Sequence, residues 1–243
     1  MSIAVRVNIW IVTLLGSVAA IVLSILWIDR PVASFVHDHF RYLVRGPVAE
    51  LSHFPNPLFL LALILSVILM LRMIFGRPLS WHQANIFVCS LGVVFTELLK
   101  SIVKFIFGRT WPETWLGNNP SFIRDGVYGF HFMHGGSAYQ SFPSGHMAAA
   151  CTVLSVVFIR YPPFRPLCLI VGLLVGMVLV GSNYHFVSDV IAGAFVGLSI
   201  GWIATVIWDA WVDRRIAGNV DEKKKSEHKY QSRMSGSEIR RDR

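Results

Sequence analysis

Residues 85–107 read NIFVCSLGVVFTELLKSIVKFIF. A helix needs about 20 predominantly apolar residues to cross a bilayer, and this stretch has that length and character. Five further apolar runs flank it: Asn8 to Ile28, Pro57 to Phe75, His146 to Ile159, Leu167 to Val180 and Val190 to Ile207. The composition agrees with a membrane chain. Apolar residues make up 54% of the 243 positions, charged residues only 15%, and the mean hydropathy is +0.56. Soluble domains carry about 25% charged residues, so an ordinary soluble enzyme is excluded, and so is a wholly disordered chain. The first run is longer than the core of a signal peptide. Asp29-Arg30-Pro31 follows it in place of a small-residue cleavage site, so it reads as a retained span. The fold predicted is all-α: an integral membrane bundle of six helices over residues 1–210, followed by a basic, disordered tail over 211–243.

The formal net charge is +8, and the stretch from Trp211 to Arg243 supplies half of it, with ten Lys/Arg against six Asp/Glu. The short loops do not decide the orientation, but this tail does: the positive-inside rule places both termini in the cytoplasm. A basic segment beside a membrane meets anionic headgroups. Nucleic-acid binding would need a folded basic surface with base-reading groups, and the sequence contains no such pattern. Arg30, Arg41, Arg45, Lys100, Lys104, Arg109 and Arg124 then fall on the outer side, where the rule disfavours them; an anionic ligand there accounts for several. Cys89, Cys151 and Cys168 each lie in an apolar run and read as small buried residues, not as a disulfide framework. The segment from Val32 to Glu50 mixes apolar and polar residues and reads as a connecting helix. Gly193, Gly197 and Gly201, and likewise Gly172 and Gly176, recur every fourth residue, a spacing that lets helices pack closely.

The loop from about Gly108 to Gly145 is too long for a mere connector. It ends in Pro143-Ser144-Gly145-His146 at the start of an apolar helix. Ser144 is a good N-cap, Gly145 permits close backbone approach, and the unpaired first amides form an anion site. His146 stands at that mouth, able to donate a proton. In Tyr184-His185-Phe186-Val187-Ser188-Asp189, His185 and Asp189 are four apart and share a helical face. A carboxylate fixes the tautomer of an imidazole and makes it a better nucleophile. Counting spans puts His146 and His185 at the same membrane face, although they are 39 positions apart. Lys104 with Arg109 can hold phosphate oxygens, whereas Lys100 fits snorkelling to the interface. Together these groups point to phosphoryl transfer without a metal or cofactor. His131 and His134 lack a third ligand, which is weak for a metal site; they read as loop residues. His37 and His39 read as solvated. Glu97 reads as the partner of Lys100 or Lys104, and Trp111 and Trp115 as interface anchors.

With these residues in place, the chain resembles the type 2 phosphatidic acid phosphatase superfamily, the membrane relatives of vanadium haloperoxidases. That family's pattern is Lys, six residues, Arg-Pro; then Pro-Ser-Gly-His; then Ser-Arg, five residues, His, three residues, Asp. Here the middle motif is complete at 143–146, and His185 and Asp189 supply the end of the third. The resemblance implies His185 as nucleophile, Asp189 orienting it, and His146 as general acid. It implies Ser144, Gly145, Lys104 and Arg109 as phosphate binders, and a lipid phosphate as substrate. Two departures stand out. Trp111 occupies the place of the first motif's Arg, and Val178-Leu179 occupy the Ser-Arg positions. A bidentate guanidinium is not replaced by a neutral side chain. Three readings follow: a phosphatase in which Arg109 and Arg124 take over the charge, a lipid phosphotransferase with the same His/His/Asp site, or an inactive binding protein.

Overall fold

The computed structural model describes residues 3–40, 55–115 and 118–238. Arg41 and Arg45 lie outside them, as does the rest of the connecting segment beyond residue 40. Among the described residues no β-strand forms; isolated bridges join Arg109 to Phe130 and Gln140, and Trp111 to Ser121. The helices are α1 (Ile3–Leu23), α2 (Asp29–His39), α3 (Pro55–Ile74), α4 (Trp81–Phe107), the short α5 (Phe122–Asp125), α6 (Gly145–Arg160), α7 (Arg165–Gly181) and α8 (Val187–Glu238). A single π-helical turn, Ser24–Ile28, joins α1 to α2 without a break.

Local chemistry sets the ends that matter for the site. Ser80 caps α4 in a capping box with Gln83. Gly108 ends α4 in the left-handed region, with φ at 53°. A Cβ at Gly108 would collide with the carbonyl of His131, so only glycine lets the loop fold back there. Ser144 caps α6, accepting from the Met147 amide. Pro166 stands in the first turn of α7, where its missing N–H costs nothing.

Among the described residues five helical stretches are long and apolar enough to cross a membrane: Asn8–His39, Pro57–Ile74, Trp81–Phe107, Pro162–Gly181 and Val187–Arg215. The remaining run, His146 to Ile159, forms α6, which has 16 residues. At 1.5 Å per residue it is about 24 Å long, short of a hydrocarbon core of about 30 Å. Its position explains why this suffices. It packs against α3, α4 and α7, and Ala148, Thr152 and Val156 on it are completely buried. Protein, not lipid, surrounds it.

Residues Met1–Ala204 form one compact unit and Thr205–Arg243 a second. The sequence predicts disorder from residue 211, but α8 is helical to Glu238. Lys, Glu and Arg, which are good helix formers, recur through that stretch.

The two glycine repeats, alike in sequence, differ in the structure. On α8, a Cβ at Gly193 would run into the carbonyl of Ser144 and one at Gly197 into that of Ala148. At Gly201 it would lie 2.6 Å from the Thr152 carbonyl. This stripe is what seats α8 on α6. On α7, a Cβ at Gly172 or Gly176 would meet only side-chain methyls, at 3.6 and 3.5 Å. Those two instead line an apolar cavity of about 500 Å³ with Met147, Met177 and Val190.

Candidate active site

The C-terminal end of α4, the capped start of α6 and the turn from α7 into α8 meet at one end of the first unit. The contact is direct, because the Ser144 amide donates to the Asp189 carbonyl at 3.0 Å. The two helix starts therefore hold each other in register. The rings of His146 and His185 come to 6.3 Å between centroids. Tyr184 lies beside both, at 5.4 Å from His146 and 5.1 Å from His185. The coincidence predicted from span counting is thus a real juxtaposition.

His185 is 2% exposed. Its Nδ1 lies 3.6 Å from Asp189 Oδ2, a little long for a hydrogen bond, and 3.5 Å from Ser141 Oγ. Ser141 Oγ in turn donates to Asp189 Oδ2 at 2.6 Å. With its own proton spent on the carboxylate, the Ser141 oxygen accepts, so the His185 proton belongs on Nδ1 and the lone pair on Nε2. Burial lowers the pKa of His185 and the Asp189 carboxylate raises it; burial wins, and the net shift is downward. The ring is neutral at pH 7, the state a nucleophile requires. Asp189 is itself held firmly: it also accepts from the Phe186 amide at 3.0 Å and from Arg109 Nη1 at 2.5 Å.

The positively charged residues are arranged differently from the sequence expectation. Arg109 is completely buried. Its Nη1 donates to Asp189 Oδ1 and Ser188 Oγ, and its Nη2 to Asp29 Oδ2 at 2.7 Å and Tyr128 Oη at 3.0 Å. Its guanidinium packs on the rings of Phe186, Phe130 and Tyr128, at 4.4, 4.8 and 5.2 Å. Burial opposes its charge, but Asp189 and Asp29 outweigh burial and raise its pKa. With both terminal nitrogens engaged, Arg109 braces Asp189 on the oxygen opposite His185 and does not present a phosphate fork. Arg124 lies at the surface, paired with Asp125 at 2.9 Å and bonded to Asn118. Those bonds close its own loop and tie it away from the two histidines.

Two lysines remain. Lys104 Nζ donates to the Gln140 carbonyl at 2.7 Å and lies 5.7 Å from the Trp111 ring. Lys100 pairs with Glu97 at 2.7 Å, as expected for that acid, but it does not snorkel away. Its side chain lies against Gly145: a Cβ there would stand 2.9 Å from Lys100 Nζ. The four-residue spacing of Lys100 and Lys104, which puts both on one helix face, is the sequence signal for this placement.

Trp111 is not an interface anchor. It is 5% exposed, its ring lies 5.3 Å from that of His185, and its Nε1 donates to the Ser137 carbonyl at 2.8 Å. An aromatic wall thus stands next to the nucleophile candidate. Leu179 is buried in an apolar cluster with Met147, Cys151 and Val190, and its carbonyl accepts from the Tyr184 and His185 amides. It shapes the turn through its backbone and brings no charge. His37, expected in solvent, pairs with Glu113 at 2.8 Å. His131 and His134 pack on Tyr139, at 4.9 and 4.6 Å. Among the described residues no group of three or more His, Cys, Asp or Glu side chains could hold a metal ion. Ser141 and Asp29 are members of the site that the motifs do not contain.

The PAP2 superfamily model matches residues 85–213, a little over half of the chain, and the chain belongs to that superfamily. It is a multi-pass integral membrane protein. It is similar to proteins named lipid A 1-phosphatase: 30% identical over 129 residues to that of Rhizobium johnstonii and 31% over 125 residues to that of Rhizobium etli. These matches cover 53% and 51% of this chain, and 49% and 48% of the relatives. A lipid A 1-phosphatase of Porphyromonas gingivalis is 27% identical over 141 residues, 55% of this chain and 26% of that protein. The chain thus spans about half the length of the Rhizobium relatives. A solved transmembrane PAP2-type phosphatidylglycerolphosphate phosphatase of Bacillus subtilis aligns at 19% identity with a TM-score of 0.42, covering 84% of this chain and 96% of that one.

Proposed function

We propose that the chain is a membrane phosphatase that hydrolyses a phosphate monoester or diphosphate of a lipid through a phosphohistidine. The observation that carries this is a buried, neutral His185, braced by Asp189 and placed 6.3 Å from His146 at a capped helix start. His185 Nε2 attacks phosphorus and the bond to the leaving oxygen breaks, while His146 gives that oxygen a proton. Water then attacks the phosphohistidine, His146 takes its proton, and the phosphorus–nitrogen bond breaks to release phosphate. Lys104, Lys100, Ser144 and the Gly145 amide bind the phosphoryl oxygens. Arg109 acts from behind, through Asp189.

The names of the relatives favour phosphorylated lipid A as the substrate to test before phosphatidate, phosphatidylglycerophosphate and polyprenyl diphosphates. Residues 1–210 are the catalytic membrane domain. Both termini, with the basic tail 211–243, lie in the cytoplasm of a bacterial inner membrane, and the site opens to the periplasm. The test uses purified protein in lipid nanodiscs with that panel and measures free phosphate. His185→Ala abolishes release; full release by that variant would overturn the mechanism. A second reading, transfer of the phosphoryl group to another lipid, is favoured by the cover that Trp111 and Tyr184 place over His185, since excluding water protects the intermediate. In the same assay it shows as label on a second lipid instead of free phosphate.

A further inference from the structure

We propose that Asp29, which lies outside the family-matched segment, is a positioning residue that sets the Arg109–Asp189–His185 chain from the N-terminal helix. The proposal rests on the His185 reading above. Asp29 is 1% exposed in a stretch most of whose residues are not buried. Its Oδ1 accepts from the Ser188 amide at 3.0 Å. Its Oδ2 accepts from Arg109 Nη2 at 2.7 Å, Ser188 Oγ at 2.5 Å and Tyr128 Oη at 3.1 Å. Ser188 immediately precedes Asp189, and Arg109 bridges the two carboxylates. One side chain of α2 thus fixes both the backbone that carries Asp189 and the guanidinium that braces it.

The backbone before Asp29 is built for this. In a straight α-helix Ser24 and Asp29 would be about 140° apart around the axis, at 100° per residue. The π turn instead gives an Asp29 amide to Ser24 carbonyl bond, which stacks the two on one face. Both are buried. Tyr128 Oη, whose pKa burial pushes up to about 12, reaches the Ile25 carbonyl within that turn at 2.8 Å. Irregular turns of this kind are frequent at functional sites. Here the irregularity sets the acid inward where the apolar α1 passes into α2.

The charge arithmetic yields a test that a merely structural acid would fail. Asp29 and Arg109 cancel beside Asp189. The groups facing His185 are Asp189, Lys104, His146, Ser141, Tyr184 and Trp111; Arg30 lies over Tyr128 at 4.7 Å. In D29N the Arg109 charge is left uncancelled, so protonated His185 is less stable and its titration moves to lower pH, by about half a unit. In R109Q two carboxylates are left without their cation, and the titration moves up. In the double variant both charges are gone, and it returns toward wild type. The experiment follows the His185 imidazole by ¹⁵N NMR in micelles, with kcat and KM on a lipid phosphate measured in parallel. D29N is expected to lower kcat about 10- to 100-fold at unchanged KM. No change in D29N, or shifts of the same sign in D29N and R109Q, overturns the proposal. Should D29N not fold, Tyr128→Phe and Ser188→Ala each remove one bond to the same carboxylate and are judged by the same kcat criterion. If wild-type protein turns over no lipid phosphate, the phosphatase reading fails, while the NMR titrations still decide the role of Asp29.

Discussion

Gly197→Ala probes whether the seat of α8 on α6 governs the chemistry. The added Cβ would meet the Ala148 carbonyl, with Cys151 Cβ at 2.8 Å and the Thr152 amide nitrogen at 2.9 Å. Non-bonded heavy atoms rest at about 3.5 Å, and the Ala148 carbonyl oxygen is the nearest of the three, so α8 has to retreat by about 1 Å against two backbone groups that cannot rotate away. Overpacking of this kind costs about 1–3 kcal/mol. The retreat loads directly onto the Ser144–Asp189 bond, which keeps His146 and His185 in register. Misplacement by about 1 Å costs up to 10²-fold in rate, so a loss of about tenfold to 10²-fold in kcat is expected. The control is Gly176→Ala on α7, where the new methyl meets only Val190 Cγ1 at 3.5 Å. Thermal unfolding in detergent and phosphate release from a lipid phosphate measure both effects. Full activity in Gly197→Ala, or equal damage in Gly176→Ala, would refute the reasoning.

Asp189→Asn removes the carboxylate that orients His185 and should lower kcat by about 10³- to 10⁴-fold, as loss of the orienting acid does in other His-dependent sites; single-turnover phosphate release measures it. Lys104→Ala should cost about 10²-fold in kcat/KM by removing one phosphate-facing donor, whereas Arg124→Ala, bonded within its own surface loop, should leave kcat/KM unchanged. Because the folded-state pKa of His185 is depressed, its neutral, reactive form persists below the ordinary value of about 6.5. Activity is lost only as pH falls through that depressed value, and stability falls as pH drops below the unfolded value, so kcat/KM should hold from pH 7 down through 6.5. An acid limb above pH 7 in the pH–rate profile would contradict this.

The motifs were legible because short-range rules fix them. Pro143 to His146 form a cap and a helix start whatever surrounds them, and the spacing of His185 and Asp189 is a local helical fact. The roles of the charged residues were not legible. Arg109, close after Lys104, reads as phosphate-facing in the linear sequence, yet its direction depends on Asp29, 80 positions earlier in the chain. Lys100 and Lys104 look alike in a helix; only the approach of α6 shows that Lys100 lies on Gly145. Trp111 reads as an interface aromatic until the turn before α8 brings His185 against it.

By itself the sequence determined that this is a helical membrane protein with two histidines and an acid at one face. Hydrophobic run length and helix-start chemistry act within a few residues, so they need no partner. Only the tertiary structure decided which cations face the histidines and which one braces the acid. A buried guanidinium points wherever carboxylates compensate its desolvation, and the two that do so here, Asp29 and Asp189, lie 80 positions before and 80 positions after it in the chain.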